Sequence, residues 1–548
     1  TSGTDGERKG AQYLSRKLTE YGIAHTTHEV HAYLSWPRRA TLSIAGRPEL
    51  NIDAIPPAFG GATPAGGVTG EALWQVGSPS SDTGPEVKGK VVLTTGIASP
   101  DGVLRAERAG AAAIVFVSDN EILHEMIATT IWGTPTSESA ARIPTIPVVS
   151  IKHSAGEHLK PAPGRRPPTL TITTVVDRAW ANIPLVVAEV PGSSPEFVLI
   201  ATHLDAWYEG MTDTAGTVAS ILDMARVLKK QQPSLKRGVR FAWWPGHSFG
   251  RYPGSAWYTD RFWADLDEHC VAYTNLDGSG RRGSRIDEIS AGGWPGLADF
   301  SRAFAQTSLG KTPDAAGESG GRGSRVFRPG RDSDSSFQGI GVPEFFVGVP
   351  GPPRGHPEVE EAGRISYWHT AQDTLEKVDM KALELDTRYR VAQVFALARM
   401  PVLPHKIAPI AVSYERAVDE LAAAAGTAFD FTPTRATIAR LKTAANRLDE
   451  LPRPAAAGAQ ERLNRLLVRV THRLNATLYT RAGRFDQDPA AQVPILPLLA
   501  RARELTSLTS DPNARGFLET ELLRGRNAVE STLREATEMI EHYLGATP

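Results

Sequence analysis

The sequence predicts an α/β protein with strands of mixed direction, a separate small α/β segment and a helical bundle toward the C-terminal end. Three observations predict it. Apolar runs of strand length alternate with helical patterns across residues 170–403. Two further buried-strand runs, Val91-Val92-Leu93 and Ala113-Ile114-Val115-Phe116-Val117, follow a Pro/Gly-rich stretch at 56–67 that marks a domain crossing. Beyond Ile407, apolar residues recur at helical spacing. A chain of 548 residues is too long for one core, so two to four domains are expected.

Taken in order, residues 7–21 read as a helix, with Leu14, Leu18 and Tyr21 on one face and Gly22 just past the end. Residues 40–44 alternate like a short strand. Between the runs at 91–93 and 113–117, residues 105–110 read as helical. Pro144 and Pro147 make the run at 143–149 an edge strand. No cluster of ligands or nucleophiles occurs in 68–163, so this part is expected to carry no chemistry of its own. Strands follow at 170–175, 185–190, 197–201 and 239–243, with a helix at 217–230. In the tail, Leu463, Leu466, Leu467, Val470 and Leu474 form one stripe, and Leu533, Met539, Ile540, Tyr543 and Leu544 another. Both read as packing faces, with arginines on the solvated side.

Composition excludes several classes. The 60 basic and 61 acidic residues give a net charge of -1, so no global field favours nucleic acid or an anionic membrane. No run of 18 apolar residues exists, so no spanning helix is expected. The chain starts at Thr1, not methionine; the cytoplasm is the nearer expectation for its compartment, with secretion left open. The single cysteine, Cys270, rules out disulfides and cysteine-rich zinc modules, and reads as a buried small hydrophobe. Any metal must be held by histidine and carboxylate groups.

Such groups occur at strand ends, where α/β sheets place ligands. Phe197-Val-Leu-Ile-Ala-Thr-His203-Leu-Asp205 ends in His and Asp, and Asp213 follows in Gly210-Met-Thr-Asp213. Asp213 has a plain alternative as the cap of the helix after it. Asp205 fits a partner that fixes the tautomer of His203. Ala272-Tyr-Thr-Asn-Leu-Asp277 is a second strand ending in a carboxylate, and Tyr367-Trp-His369-Thr-Ala-Gln-Asp373 offers another imidazole. Together His203, Asp213, Asp277 and His369 suggest a metal site.

The order and spacing of these pieces resemble the co-catalytic zinc metallopeptidase family of aminopeptidases, glutamate carboxypeptidase II and the transferrin receptor. The resemblance covers nearly the whole chain. It includes Val239-Arg-Phe-Ala-Trp-Trp-Pro-Gly-His247-Ser248-Phe-Gly, Asn275-Leu-Asp277 and Tyr367-Trp-His369-Thr. Lys88-Gly-Lys-Val-Val-Leu and Ala109-Gly-Ala-Ala-Ala-Ile-Val-Phe are similar to an inserted protease-associated domain. The resemblance implies a mixed-sheet catalytic domain at 1–55 and 176–405, the inserted domain at 56–175, and a helical dimerisation-like domain at 406–548. It implies that His203 and Asp277 hold one metal, and that Asp213 bridges to a second held by His369. Zinc is the expected ion, with manganese and iron as alternatives, in one or two copies. A homodimer and a small-molecule or peptide-like substrate are also implied.

The chain departs from that family at one place. Where the family has adjacent glutamates, a general base and a metal ligand, this chain has His247 and Ser248. A hydroxyl in place of a ligating carboxylate weakens the second metal. Histidine at the base position still moves protons near neutral pH; acid/base action is favoured over two other readings, a turn inward to ligate a metal and inert packing. The favoured reading is therefore a metal-dependent hydrolase of an amide or peptide-like bond with His247 as acid/base. Three alternatives stand beside it: a metal-dependent lyase or isomerase, a non-catalytic receptor-like scaffold, and a serine hydrolase. The last rests on Gly246-His247-Ser248-Phe249-Gly250, which fits a nucleophile elbow, with Asp334 and His369 later in the chain. Trp207, Tyr208, Arg331, Asp334 and Tyr367 are candidate substrate contacts, and 320–330 is an expected rim loop.

Overall fold

The computed structural model describes the chain apart from residues 76–84, 161–165, 314–332, 492 and 546–548. Among the described residues ten strands join in one sheet: β1 (Ala24–Ile44), β2 (Arg47–Ile55), β3 (Val68–Trp74), β4 (Val91–Thr95), β5 (Ala113–Val117), β6 (Val148–Ile151), β7 (Thr169–Val190), β8 (Phe197–His203), β9 (Gly238–Trp244) and β10 (Cys270–Asn275). Their order is β1-β2-β6-β5-β4-β3-β7-β9-β8-β10, and β1 also pairs with β7.

That extra pairing explains the architecture. β1 and β7 form an antiparallel ribbon from Ala24 opposite Glu189 to Ile44 opposite Leu170. At the Ile44 end the ribbon closes a ring through β2, β6, β5, β4 and β3. At the other end β7 continues into β9, and β9, β8 and β10 run parallel to one another. The sheet is mixed, as expected from sequence. The boundary expected at 175/176 falls inside β7.

Period-two alternation sends successive side chains of these strands to opposite faces. Val198 and Ile200 pack with α1 (Asp5–Glu20) and α2 (Gly216–Lys230) through Leu14, Leu18, Ile221 and Leu228. Phe197, Leu199 and Ala201 face the opposite core of Leu34, Ile183, Tyr258 and Phe337. Each fully buried side chain of this size contributes roughly 1.5–3 kcal/mol. The first core runs on into the C-terminal helices α3 (Ala408–Ala425), α4 (Thr432–Glu450), α5 (Ala457–Tyr479) and α6 (Pro512–Gly545). Leu463, Leu467, Val470 and Leu474 are buried there, as are Leu533 and Ile540, whereas Leu466, Met539, Tyr543 and Leu544 line the margin. Among the described residues no helix is long and apolar enough to cross a membrane.

Two expectations need correction. The strand expected at 40–44 is the end of a 21-residue strand. Its earlier part was hidden because histidines and charged residues alternate with the buried Val30, Ala32 and Leu34. The run at 143–149 is not an edge strand. β6 begins at Val148, past both prolines, and lies between β2 and β5, so neither proline interrupts a ladder.

Candidate metal centre

The parallel strands β8, β9 and β10 all end toward one place. His203 is the last residue of β8, His247 lies three residues past β9, and Asp277 lies two past β10. Asp213 sits in the turn that leads into α2. Asp373 holds this turn: its two carboxylate oxygens accept from the main-chain N–H of Thr212 at 2.9 Å and of Asp213 at 3.0 Å.

Asp213 is the centre of the group. Its Oδ1 lies 3.0 Å from His203 Nε2, and its Oδ2 lies 3.3 Å from His369 Nε2. Asp277 Oδ1 lies 3.5 Å from His203 Nε2. Ligand atoms about 2.0–2.1 Å from a tetrahedral ion stand roughly 3.3 Å apart, so these spacings suit a shared cation. His203, Asp213 and Asp277 each offer one ligand atom within 4.8 Å of the others.

The second ring nitrogens are fixed in the way ligating histidines require. His203 Nδ1–H donates to the main-chain oxygen of Asp205 at 2.6 Å, and His369 Nδ1–H donates to that of Glu125 at 2.8 Å. Each bond leaves Nε2 as the nitrogen on the Asp213 side. Burial raises the Asp213 carboxyl, but hydrogen bonds from His203 and His369 overcome it and hold the group well below the usual range. Burial also lowers the His203 imidazole, yet Asp213 and Asp277 hold it well above its ordinary value. For His369 burial prevails and the net direction is down. The buried carboxylates therefore favour positive charge at this place. This donor set of imidazole and carboxylate groups fits a zinc-like ion.

Asp205 needs a correction. Its carbonyl, not its carboxylate, orients His203. The carboxylate instead accepts the main-chain N–H of His247 and Ser248, both at 2.9 Å, and the Ser2 hydroxyl at 2.5 Å. Glu7 adds a second buried carboxylate behind this turn and accepts the Gly246 N–H at 3.1 Å. Burial, then Asp205, pushes the Glu7 carboxyl up to about 8.

His247 stacks on the His203 ring at 3.8 Å between centroids. Its Nδ1–H donates to Asp334 Oδ2 at 2.8 Å, and Asp334 Oδ1 accepts the Ser255 hydroxyl at 2.8 Å. Asp334 is fully buried, so it is a partner of His247 rather than a substrate contact. Tyr367 is likewise fully buried. Trp207 is buried with its ring 4.0 Å from that of His369, whereas Tyr208 is 55% exposed. Arg331 and the expected loop at 320–330 lie outside the described residues.

The nucleophile-elbow arrangement is not assembled. Ser248 Oγ is buried with no hydrogen-bond partner among the described residues. Asp334 pairs with His247, and His369 is engaged by Asp213 and Glu125. Residues 68–163, expected to carry no chemistry of their own, reach the site through one residue. The Glu125 main chain makes two hydrogen bonds with His369: its N–H donates to the His369 main-chain oxygen at 3.0 Å, and its oxygen accepts the His369 side-chain Nδ1–H at 2.8 Å. Sequence reasoning missed Glu125, Asp373 and Glu7. Asp373 had one signal, its place four residues after His369.

The mixed sheet and its strand-end donor set define a metallopeptidase-like protein. Residues 185–392 match Peptidase family M28, and residues 55–159 match the PA domain. These two matches support the M28 family of co-catalytic zinc peptidases. It is 24% identical over 341 residues to "Probable glutamate carboxypeptidase VP8" of Zea mays, covering 50% of this chain and 48% of that protein. It is 35% identical over 85 residues to "Aminopeptidase NAALADL1" of Mus musculus, covering 15% of this chain and 11% of that one. The match thus spans about half the length of the first relative and less of the second. Among solved structures, the aminopeptidase from Aneurinibacillus sp. strain AM-1 is similar with TM-score 0.53 and 19% identity, covering 73% of this chain and 90% of that one. BSAP, a zinc aminopeptidase from Bacillus subtilis, gives TM-score 0.52 and 21% identity, with coverage of 72% and 90%. These two likenesses show the fold.

Proposed function

We propose that the chain is a metal-dependent hydrolase of peptide-like amide bonds, with His203, Asp213 and Asp277 holding the principal ion. The observation that carries this is the placement of Asp213 between two imidazoles, each turned toward it by a main-chain carbonyl on its far nitrogen. A divalent ion, zinc first, supplies Lewis-acid polarisation of the scissile carbonyl there. His369 and Asp213 form a second, weaker position, because Ser248 brings no charge where the resembled family has a carboxylate.

His247 handles the proton. Asp334 fixes Nδ1 as the donor, leaving Nε2 to take a proton from water during attack and return it to the departing amine. The overall change is addition of one water across the amide, giving an acid and an amine. Stacking on His203 and the Asp205 bonds hold the ring in place. A homodimer through the helical C-terminal part belongs to the same reading, supported by the exposed Phe517 and Leu523 of α6.

The test is turnover of amino-acid anilides by chelated and zinc-reloaded protein, beside His247→Ala. Reloading restores turnover, and His247→Ala retains zinc but loses about 10²–10⁴ in kcat. Equal turnover with and without metal contradicts the reading.

A further inference from the structure

We propose that Glu125 and Tyr208 form a subsite for a cationic group of the substrate, on the His369 side of the metal centre. The proposal rests on the hydrolase reading above and adds the substrate chemistry.

The pair is anchored at the centre through main-chain groups. The Glu125 N–H donates to the His369 main-chain oxygen and the Glu125 oxygen accepts the His369 Nδ1–H, while His124 next door donates from Nδ1 to the Trp368 oxygen at 2.5 Å. On the other wall, Tyr208 follows Trp207, whose ring lies 4.0 Å from that of His369. The Tyr208 hydroxyl donates to Glu125 Oε1 at 2.9 Å, and more than half of Tyr208 is exposed. The carboxylate thus lies where the inserted segment meets the catalytic part, on a residue hydrogen-bonded directly to the proposed ligand His369.

Glu125 differs from its neighbours in charge balance. Nearby carboxylates are matched: Glu360 by His124 and Arg364, Asp119 by Arg364, and Glu358 by Lys377. Glu125 has one neutral donor, Tyr208, and no ion pair among the described residues. A carboxylate has about four acceptor positions, and partial burial makes an unpaired charge costly. An ammonium or guanidinium group is the ligand that completes it. Two sources share this chemistry: the α-ammonium of a free N-terminus and a basic side chain.

Three anilides with one leaving group separate the sources: leucyl, N-acetyl-leucyl and N-acetyl-lysyl. Zinc-loaded wild type is expected to favour one charged substrate over N-acetyl-leucyl in kcat/KM. A leucyl preference identifies the α-ammonium; an N-acetyl-lysyl preference identifies the side chain. Glu125→Gln should reduce that preference about tenfold or more, and Glu125→Asp should restore part of it. Zinc content should stay at the wild-type level in both variants, since main-chain atoms hold His369. No charge preference in the wild type, or one that survives Glu125→Gln, overturns the proposal. Calorimetric binding of n-butylamine to wild type and Glu125→Gln needs no turnover, so it separates failure of this subsite from failure of the hydrolase reading. Weaker binding to the variant supports the subsite, and equal binding overturns it.

Discussion

On one side of Asp213, His203 and Asp277 converge from the ends of two parallel strands, with Nε2–oxygen spacings of 3.0 and 3.5 Å. On the other side His369 stands 3.3 Å from Asp213, and under the proposed reading Ser248, whose buried hydroxyl has no partner among the described residues, takes the place of a carboxylate in the resembled family. The first side combines one imidazole with two carboxylates; the second has one imidazole and shares Asp213. Charge is what differs. A divalent cation is held by formal negative charge as well as by lone pairs, so the two sides are expected to differ in affinity even though their histidines are oriented alike.

The strongest way to break this contrast is Asp213→Ala, which removes the group both sides share. Zinc binding and turnover are expected to vanish, as read by metal analysis of the dialysed protein and by anilide assay. Next, Asp277→Ala should cost far more zinc affinity than His369→Ala, measured by competition with a chelator; equal losses would erase the difference between the sides. Ser248→Glu sharpens it in the other direction. Restoring a carboxylate should raise zinc stoichiometry from one equivalent toward two.

The smallest expected effect lies behind the site. The Glu7 carboxyl is raised to about 8, so its neutral form is favoured in the folded protein. Its contribution to stability is then fully present below its unfolded value of 4.5 and is lost as pH rises through about 8. Glu7→Gln should abolish this loss. The melting temperature of wild type relative to the variant should fall between those pH values and level off above them.

What was legible in the sequence follows from where the signal lies. His203 and Asp277 were readable because each ends an apolar run, and the helix over α2 because its apolar spacing is regular. Cys270 is buried, as its apolar neighbours implied. The supporting contacts were not legible. Glu125 meets His369 across 244 residues, Glu7 meets Gly246 across 239, and Asp373 meets Asp213 across 160. A lone acidic residue carries no periodicity, so only the folded chain shows which distant group it meets. The length of β1 and β7 was obscured for a related reason. The ribbon exposes much of its surface, and its polar face breaks the apolar run that marks a buried strand.

The most direct test of the central claim is zinc titration of the metal-free protein by calorimetry, with the ion located by anomalous scattering at the zinc edge. One equivalent should be held tightly, bounded by His203, Asp213 and Asp277, with at most a weak second one toward His369. No zinc at Asp213, or two equivalents of equal affinity, would contradict it.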